Sequence, residues 1–156
     1  MSIRRFQGRV PSASRVGTAI LKNHELKFHK VGRNDGSAKC DVRETDDPNH
    51  IIYGVVFRIA RADKPKLDRE EGLGKGYEQK NVIVQMRGGA IIQAFTYYAT
   101  NIDPTLKPLD WYKEHVMRGA RENGLPEEYI RQLEAVECVR DLDADRRESE
   151  LAIYRL

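Results

Sequence analysis

"YEQKNVIVQMRGGAIIQAFTYYAT", residues 77–100, decides the fold. Two apolar-rich runs flank Arg87-Gly88-Gly89, and both glycines can take the positive φ that a tight turn demands. The stretch reads as two long antiparallel strands. Downstream the period changes. In "PLDWYKEHVMRGARENGLPEEYIRQLEAVE", residues 108–137, Trp111, His115 and Val116, then Tyr129, Leu133 and Val136, recur at helical spacing. Asp110 can cap the first helix and Asn123-Gly124 can end it. Pro126 followed by Glu127 and Glu128 suits the first turn of the second. This predicts a C-terminal helical hairpin.

Upstream, "HIIYGVVFRIA", residues 50–60, is crowded with β-branched and aromatic residues and bounded by "DDPN" and "RADKPK". Its near-continuous apolarity predicts a strand buried on both faces. Before it, "RVGTAIL", "NHE", "LKFHKV" and "GRNDGSAK" read as strand, turn, strand and loop. Strands followed by segregated helices, without βαβ alternation, predict an α+β class. A length of 156 residues fits one domain over 1–156. The closing stretch "DLDADRRESELAIYRL" is a charged segment with a short apolar end and no assigned place.

Hydrophobic residues at 40% and charged residues at 33% exclude disorder, and no apolar run approaches the roughly 20 residues of a membrane helix. A net charge of +3 lacks the concentrated basic stripe of a nucleic-acid binder. Cys40 and Cys138 lie far apart and form no CxxC pattern, which predicts free thiols in a reducing cytoplasm. "MSIRRFQGRVPSASR" holds four arginines and three serines with no acidic residue before Glu25, the composition of a presequence.

Among chemical candidates, His24, His29, His50 and His115 lack metal-ligand spacing and read as packed or surface residues. "GLGKG" matches neither a phosphate loop nor a dinucleotide loop and reads as a turn. No serine lies in a GxSxG elbow, and Cys40 in "AKCDV" reads as a strand residue. Carboxylates remain. On a short helix from about Asp63, Glu70 and Glu71 point about 100° apart, so if Asp68 and Glu70 face water, Glu71 turns toward the sheet beside Leu67. A carboxyl against an apolar wall has its pKa raised toward neutrality, as a general acid/base requires; a solvated helix end is the alternative.

Taken together, "YGVVFRI", "LDREEG" followed by "GYEQKNVIV", "FTYYATN" and "MRGARENGLPEEYIRQLEAVE" resemble the gamma-glutamylcyclotransferase family in order and spacing, over about residues 1–137. The resemblance implies a small mixed β-barrel flanked by helices. It implies a small-molecule gamma-glutamyl substrate, cyclised to 5-oxoproline with release of an amine or amino acid. It implies no metal or organic cofactor. The family's acid/base glutamate precedes the glycine of the "LDxxEG" box, which is Glu71 here; Glu70 falls at a variable position. Tyr77 and Tyr112 match tyrosines near the substrate and are carried over as binding candidates. Met1 and Ser2 join them, standing where the family's glycine loop ends.

Family members begin with a strand and a "YGSN" loop, and this chain begins at the methionine that follows that place. A late start assignment is the expected reason, with truncation or abandoned catalysis as alternatives. The opening arginines then belong to the helix after the loop. Two non-enzymatic readings stay open: a metabolite-binding domain on the same barrel, and a dimeric structural module whose homodimer interface would be the "WYKEHVM" face. Neither nucleic acid nor membrane is an expected partner.

Overall fold

The computed structural model describes residues 2–155. Among them the order is α1 (Ile3–Arg9), β1 (Ser14–Lys22), β2 (His24–Val31), β3 (Ala38–Glu44), β4 (Ile51–Arg58), a 3-10 turn (Arg61–Asp63), α2 (Lys64–Glu71), β5 (Tyr77–Met86), β6 (Ile91–Ala99), α3 (Asp110–Glu122), α4 (Glu127–Glu134) and α5 (Ala144–Ala152). The hairpin expected over 77–100 is β5 and β6, paired antiparallel from Tyr77 opposite Ala99 to Gln85 opposite Ile91. Its turn uses one left-handed residue rather than two. The Gly89 N–H donates to the Met86 carbonyl, and Gly89 alone of the two glycines has a positive φ, 91°. A three-residue loop built on a type I turn needs no more than that.

Strand order is β4-β1-β5-β6 in one sheet and β2-β3 in the other, and every ladder between these strands is antiparallel. Although β1 and β2 are consecutive, they do not pair. Asn23, at φ 58°, turns the chain between them, and β2 leaves to pair with β3. The sheets curl toward each other as half a barrel. Asp41 of β3 accepts the Ala99 N–H of β6 at 2.7 Å, and the His24 N–H of β2 reaches the His50 carbonyl before β4 at 3.2 Å. Five helices flank this curled sheet, which is the α+β arrangement expected.

β4 is covered on both faces but not fully buried. Ile52 and Val56 join Ala19, Leu21, Val82 and Val84, whereas Tyr53 meets Tyr129 with ring centroids 5.1 Å apart and Phe57 meets Phe6 at 4.6 Å. Its place at the sheet's edge leaves all but Ile52 partly exposed.

The helical hairpin forms α3 and α4. Asn123 ends α3, Gly124 takes φ 62°, and Met117, Ala120, Leu125, Tyr129, Ile130 and Leu133 build their shared core. Asp110 is not the N-cap. Leu109 stands there, and the Asp110 carboxylate instead accepts the Asp141 N–H at 3.2 Å and Arg147 at 2.7 Å. Pro126 likewise sits one place earlier than expected, at the N-cap of α4. Within the "WYKEHVM" face, Trp111, His115 and Met117 are buried by their own chain.

What buries them includes the segment left without a place. Residues 144–152 form α5, capped by Asp143, whose side chain accepts the Arg146 N–H. Asp141, itself buried, accepts the Trp111 indole N–H at 2.7 Å and two Arg146 nitrogens at 2.6 Å each, pinning α5 to α3. At the other end of the chain, Arg4, Arg5 and Arg9 of the opening stretch lie on α1, and Arg15 lies on β1. That helix packs with Leu67 of α2 through Phe6 and Val10. No helix among the described residues is long and apolar enough to cross a membrane.

Leu67 is 3% exposed and is the one buried residue of α2, so it anchors that helix to the sheet. Leu67→Ala is expected to cost about 2–5 kcal/mol. Urea denaturation checks this, with a lower midpoint at unchanged slope as the expected result.

Candidate active site

α2 ends where the sequence places its end. Pro65 occupies the first turn, and Gly72 closes the helix in the left-handed region at φ 78°, its N–H bonded to the Asp68 and Arg69 carbonyls. Gly74 and Gly76 also have positive φ, 73° and 109°, so "GLGKG" is a sharp turn feeding β5. This brings Glu71 and Tyr77 to one region. Glu70 is exposed, whereas the Glu71 side chain retains 19% exposure and faces Arg9 of α1, with Oε1 3.5 Å from Nη1. Asp68 does not face water as expected. It is half-buried and accepts the Tyr97 hydroxyl at 2.6 Å and the Lys64 ammonium, which fixes α2 on β6.

Burial pushes the Glu71 carboxyl above its ordinary range, and Arg9 and then Arg5 oppose that push. Desolvation penalises the anion and nearby cations favour it, so the two effects leave a carboxyl able both to take and to release a proton. Glu71 lines a cavity of about 570 Å³ that runs from Arg5, Tyr77, Tyr112 and His115 into the apolar interior of the half-barrel.

Both candidate tyrosines are brought there by the backbone of one residue of β3, Cys40. The Tyr77 hydroxyl donates to the Cys40 carbonyl at 2.5 Å, and the Cys40 N–H donates to the Tyr112 hydroxyl at 3.0 Å. Tyr77 has thus used its proton. Tyr112 accepts and keeps its own, with the Cys40 thiol as a competing neighbour. Burial pushes that thiol up to about 11, so Cys40 is a packed strand residue and not a nucleophile at neutral pH. The Lys30 ammonium lies 4.7 Å from the Tyr77 ring centroid and holds its face.

Behind Tyr112 stands a second row of polar groups. His115, 2% exposed, shares one ring nitrogen with the Tyr154 hydroxyl at 2.7 Å and the other with Glu150 at 3.1 Å. The same Glu150 oxygen lies 3.4 Å from Arg5 Nη2. Burial pushes His115 below the usual imidazole range, against the pull of Glu150. Of the remaining histidines, His29 bonds Asp41 at 2.8 Å and His24 bonds the Lys22 carbonyl at 2.7 Å, both as packed groups.

Met1 lies outside the described residues. Ser2 is fully buried and does not line the cavity; its hydroxyl lies beside Tyr154 without completing a hydrogen bond among the described residues. Among the described residues no three His, Cys, Asp or Glu side chains converge to hold a metal ion. Sequence reasoning missed Arg5, Arg9, His115 and Glu150. Arg5 and Arg9 did leave a signal, a pair at helical i, i+4 spacing. His115 and Glu150 meet only through tertiary packing.

The model of the AIG2-like family matches residues 51–133. The chain is 30% identical over 136 residues to the gamma-glutamylcyclotransferase of Bos taurus and 31% identical over 136 residues to that of Homo sapiens. In both cases 85% of this chain and 72% of the relative are covered. A solved structure described as a gamma-glutamyl cyclotransferase superposes with a TM-score of 0.86 at 26% identity, covering 99% of this chain and 93% of that one. The box that ends α2 in Glu71 and Gly72, the half-barrel behind it and the helical hairpin that closes it place the chain in the AIG2-like gamma-glutamylcyclotransferase family.

Proposed function

We propose that the protein cyclises a γ-glutamyl amide or peptide to 5-oxoproline and releases the amine or amino acid, with Glu71 as general acid/base. One observation carries this reading: of the two adjacent glutamates, Glu71 alone lines the cavity, and burial raises its carboxyl.

The reaction asks little more of the protein. The substrate's α-amine attacks its own γ-carbonyl carbon, and tethering already supplies a high effective concentration. Glu71 as carboxylate takes a proton from the α-ammonium, and the freed amine forms the new C–N bond. As the tetrahedral centre collapses, its oxyanion re-forms the carbonyl, the γ C–N bond breaks and Glu71 returns the proton to the departing nitrogen; as a carboxylate again it takes the second proton of the ring nitrogen and passes it to the freed amine, which leaves as an ammonium. Tyr112 keeps a hydroxyl proton with which to donate to the substrate, and Tyr77 is an acceptor or an aromatic wall. The fold itself serves as a single catalytic unit in this scheme. Cys40 and Cys138 are free thiols, which suits a reducing compartment such as the cytoplasm.

Glu71→Gln is expected to lower the rate of 5-oxoproline release by about 10²–10⁴-fold, the usual contribution of general acid/base transfer. Glu70→Gln should leave it unchanged. Chromatographic assay of 5-oxoproline distinguishes the two, and a Glu71 variant as fast as the parent removes the assignment.

The pH profile has a defined sign. The carboxylate form of Glu71 begins the reaction, so kcat/KM falls as pH drops through the Glu71 pKa, which burial sets above the ordinary glutamate range. Arg9 favours the carboxylate, so Arg9→Gln is expected to move that acid limb to higher pH. Measuring kcat/KM against pH for both proteins checks it; a limb that stays put or moves down contradicts the electrostatic role of Arg9.

A further inference from the structure

Resting on that reading, we propose that Lys30 and Arg33 receive the carboxylate of the departing amino acid, so that the protein selects γ-glutamyl amino acids over γ-glutamyl amines that lack this group. The departing nitrogen must lie beside Glu71, which returns its proton. In an α-amino acid that nitrogen and the carboxylate share one carbon, so the carboxylate also comes to rest close to Glu71. An anion drawn out of water there needs a cation beside it.

Two cations flank the turn that joins Glu71 to Tyr77. Arg33 Nη1 lies 3.7 Å from where a Cβ on Gly72 would stand, and Lys30 Nζ lies 3.4 Å from where one on Gly76 would stand. Gly72 follows Glu71 and Gly76 precedes Tyr77, so each cation stands beside a residue that lines the cavity. Neither cation lines the cavity itself. That placement suits a group on the departing half of the substrate, because the glutamyl half closes its ring within the cavity.

Lys30 carries the argument furthest. It is 4% exposed, its ammonium lies over the Tyr77 ring, and among the described residues no side chain hydrogen-bonds or ion-pairs with it. Burial pushes that ammonium below the ordinary lysine range; Arg33 and Lys39 push the same way, against Asp35 and Glu71. Asp35 is committed to Lys39 at 2.8 Å, and Glu71 faces Arg9 at 3.5 Å. A buried cation with like charges around it and no anion in contact is costly, and a carboxylate arriving at the turn offsets that cost. Arg33 is exposed and has no ion pair among the described residues, so its planar fork is open to the same carboxylate from the solvent side. Arg9 and Arg5, in contrast, are already paired with Glu71 and Glu150.

γ-Glutamylalanine and γ-glutamylethylamine differ only in that carboxylate, so the ratio of their kcat/KM values for 5-oxoproline release reads the site directly. The unaltered protein is expected to favour γ-glutamylalanine by about 10- to 100-fold, the range for one charge-assisted hydrogen-bonded pair. Arg33→Gln and Lys30→Met should each lower kcat/KM for γ-glutamylalanine, chiefly through KM, and leave γ-glutamylethylamine unchanged. Thermal melting of both variants separates lost binding from lost fold, and the exposed Arg33 supplies the test if Lys30→Met does not fold. If the unaltered protein uses both substrates equally, or if Arg33→Gln slows both by the same factor or neither, the proposal is overturned while the cyclotransferase reading stands. If neither substrate yields 5-oxoproline, that reading falls and the carboxylate site with it.

Discussion

The backbone N–H and C=O of Cys40 are the constraint around which the site is built. β3 belongs to a two-stranded sheet, so its outer edge must find partners away from its own ladder. A backbone N–H and C=O left unpaired inside a protein would cost as much as lost hydrogen bonds. At Cys40 the partners are two tyrosine hydroxyls, one from the start of β5 and one from α3. One residue further on, Asp41 takes the Ala99 N–H of β6. Pairing β3 with side chains instead of another strand draws β5, β6 and α3 around one end of the half-barrel. The same bonds therefore deliver Tyr77 and Tyr112 to the lining of the cavity.

Much of this was legible because it is local. The β5–β6 hairpin follows from apolar runs around a glycine turn, and the α3–α4 pair follows from helical spacing around Asn123-Gly124. The end of α2 follows from Gly72, whose left-handed conformation a side chain would resist. Because that end is fixed, so is the 100° step that turns Glu71 inward and Glu70 outward. Pairing of β1 with β4 and β5 was not legible, since nothing in residues 14–22 distinguishes it from a hairpin with β2. Register between distant strands is a tertiary property.

The charged C-terminal segment shows the same limit more sharply. Its pattern reads as solvated because every charge has water as an apparent alternative. In the fold, Arg146 and Arg147 find Asp141 and Asp110, and Glu150 finds His115, partners 5 to 37 residues away. Exposed ion pairs add little stability one at a time. Here two of the acceptors also serve buried donors, the Trp111 indole and the His115 imidazole, and would be missed by groups that have no water to turn to.

These pairs bear on the acid strength of Glu71 as well as on the fold. Two arginines one helical turn apart on α1 stand near a single desolvated carboxyl. Were both to engage it directly, the carboxylate would be held more firmly as an anion. Arg9 engages it at 3.5 Å, while Glu150 draws Arg5 into a separate pair at 3.4 Å. The raised carboxyl of Glu71 is consequently a balance struck between burial and two arginines, Arg9 in direct contact and Arg5 acting from its pair with Glu150. α5, which no local pattern connected with Glu71, thus holds through Glu150 one of the two arginines whose charge reaches that carboxyl.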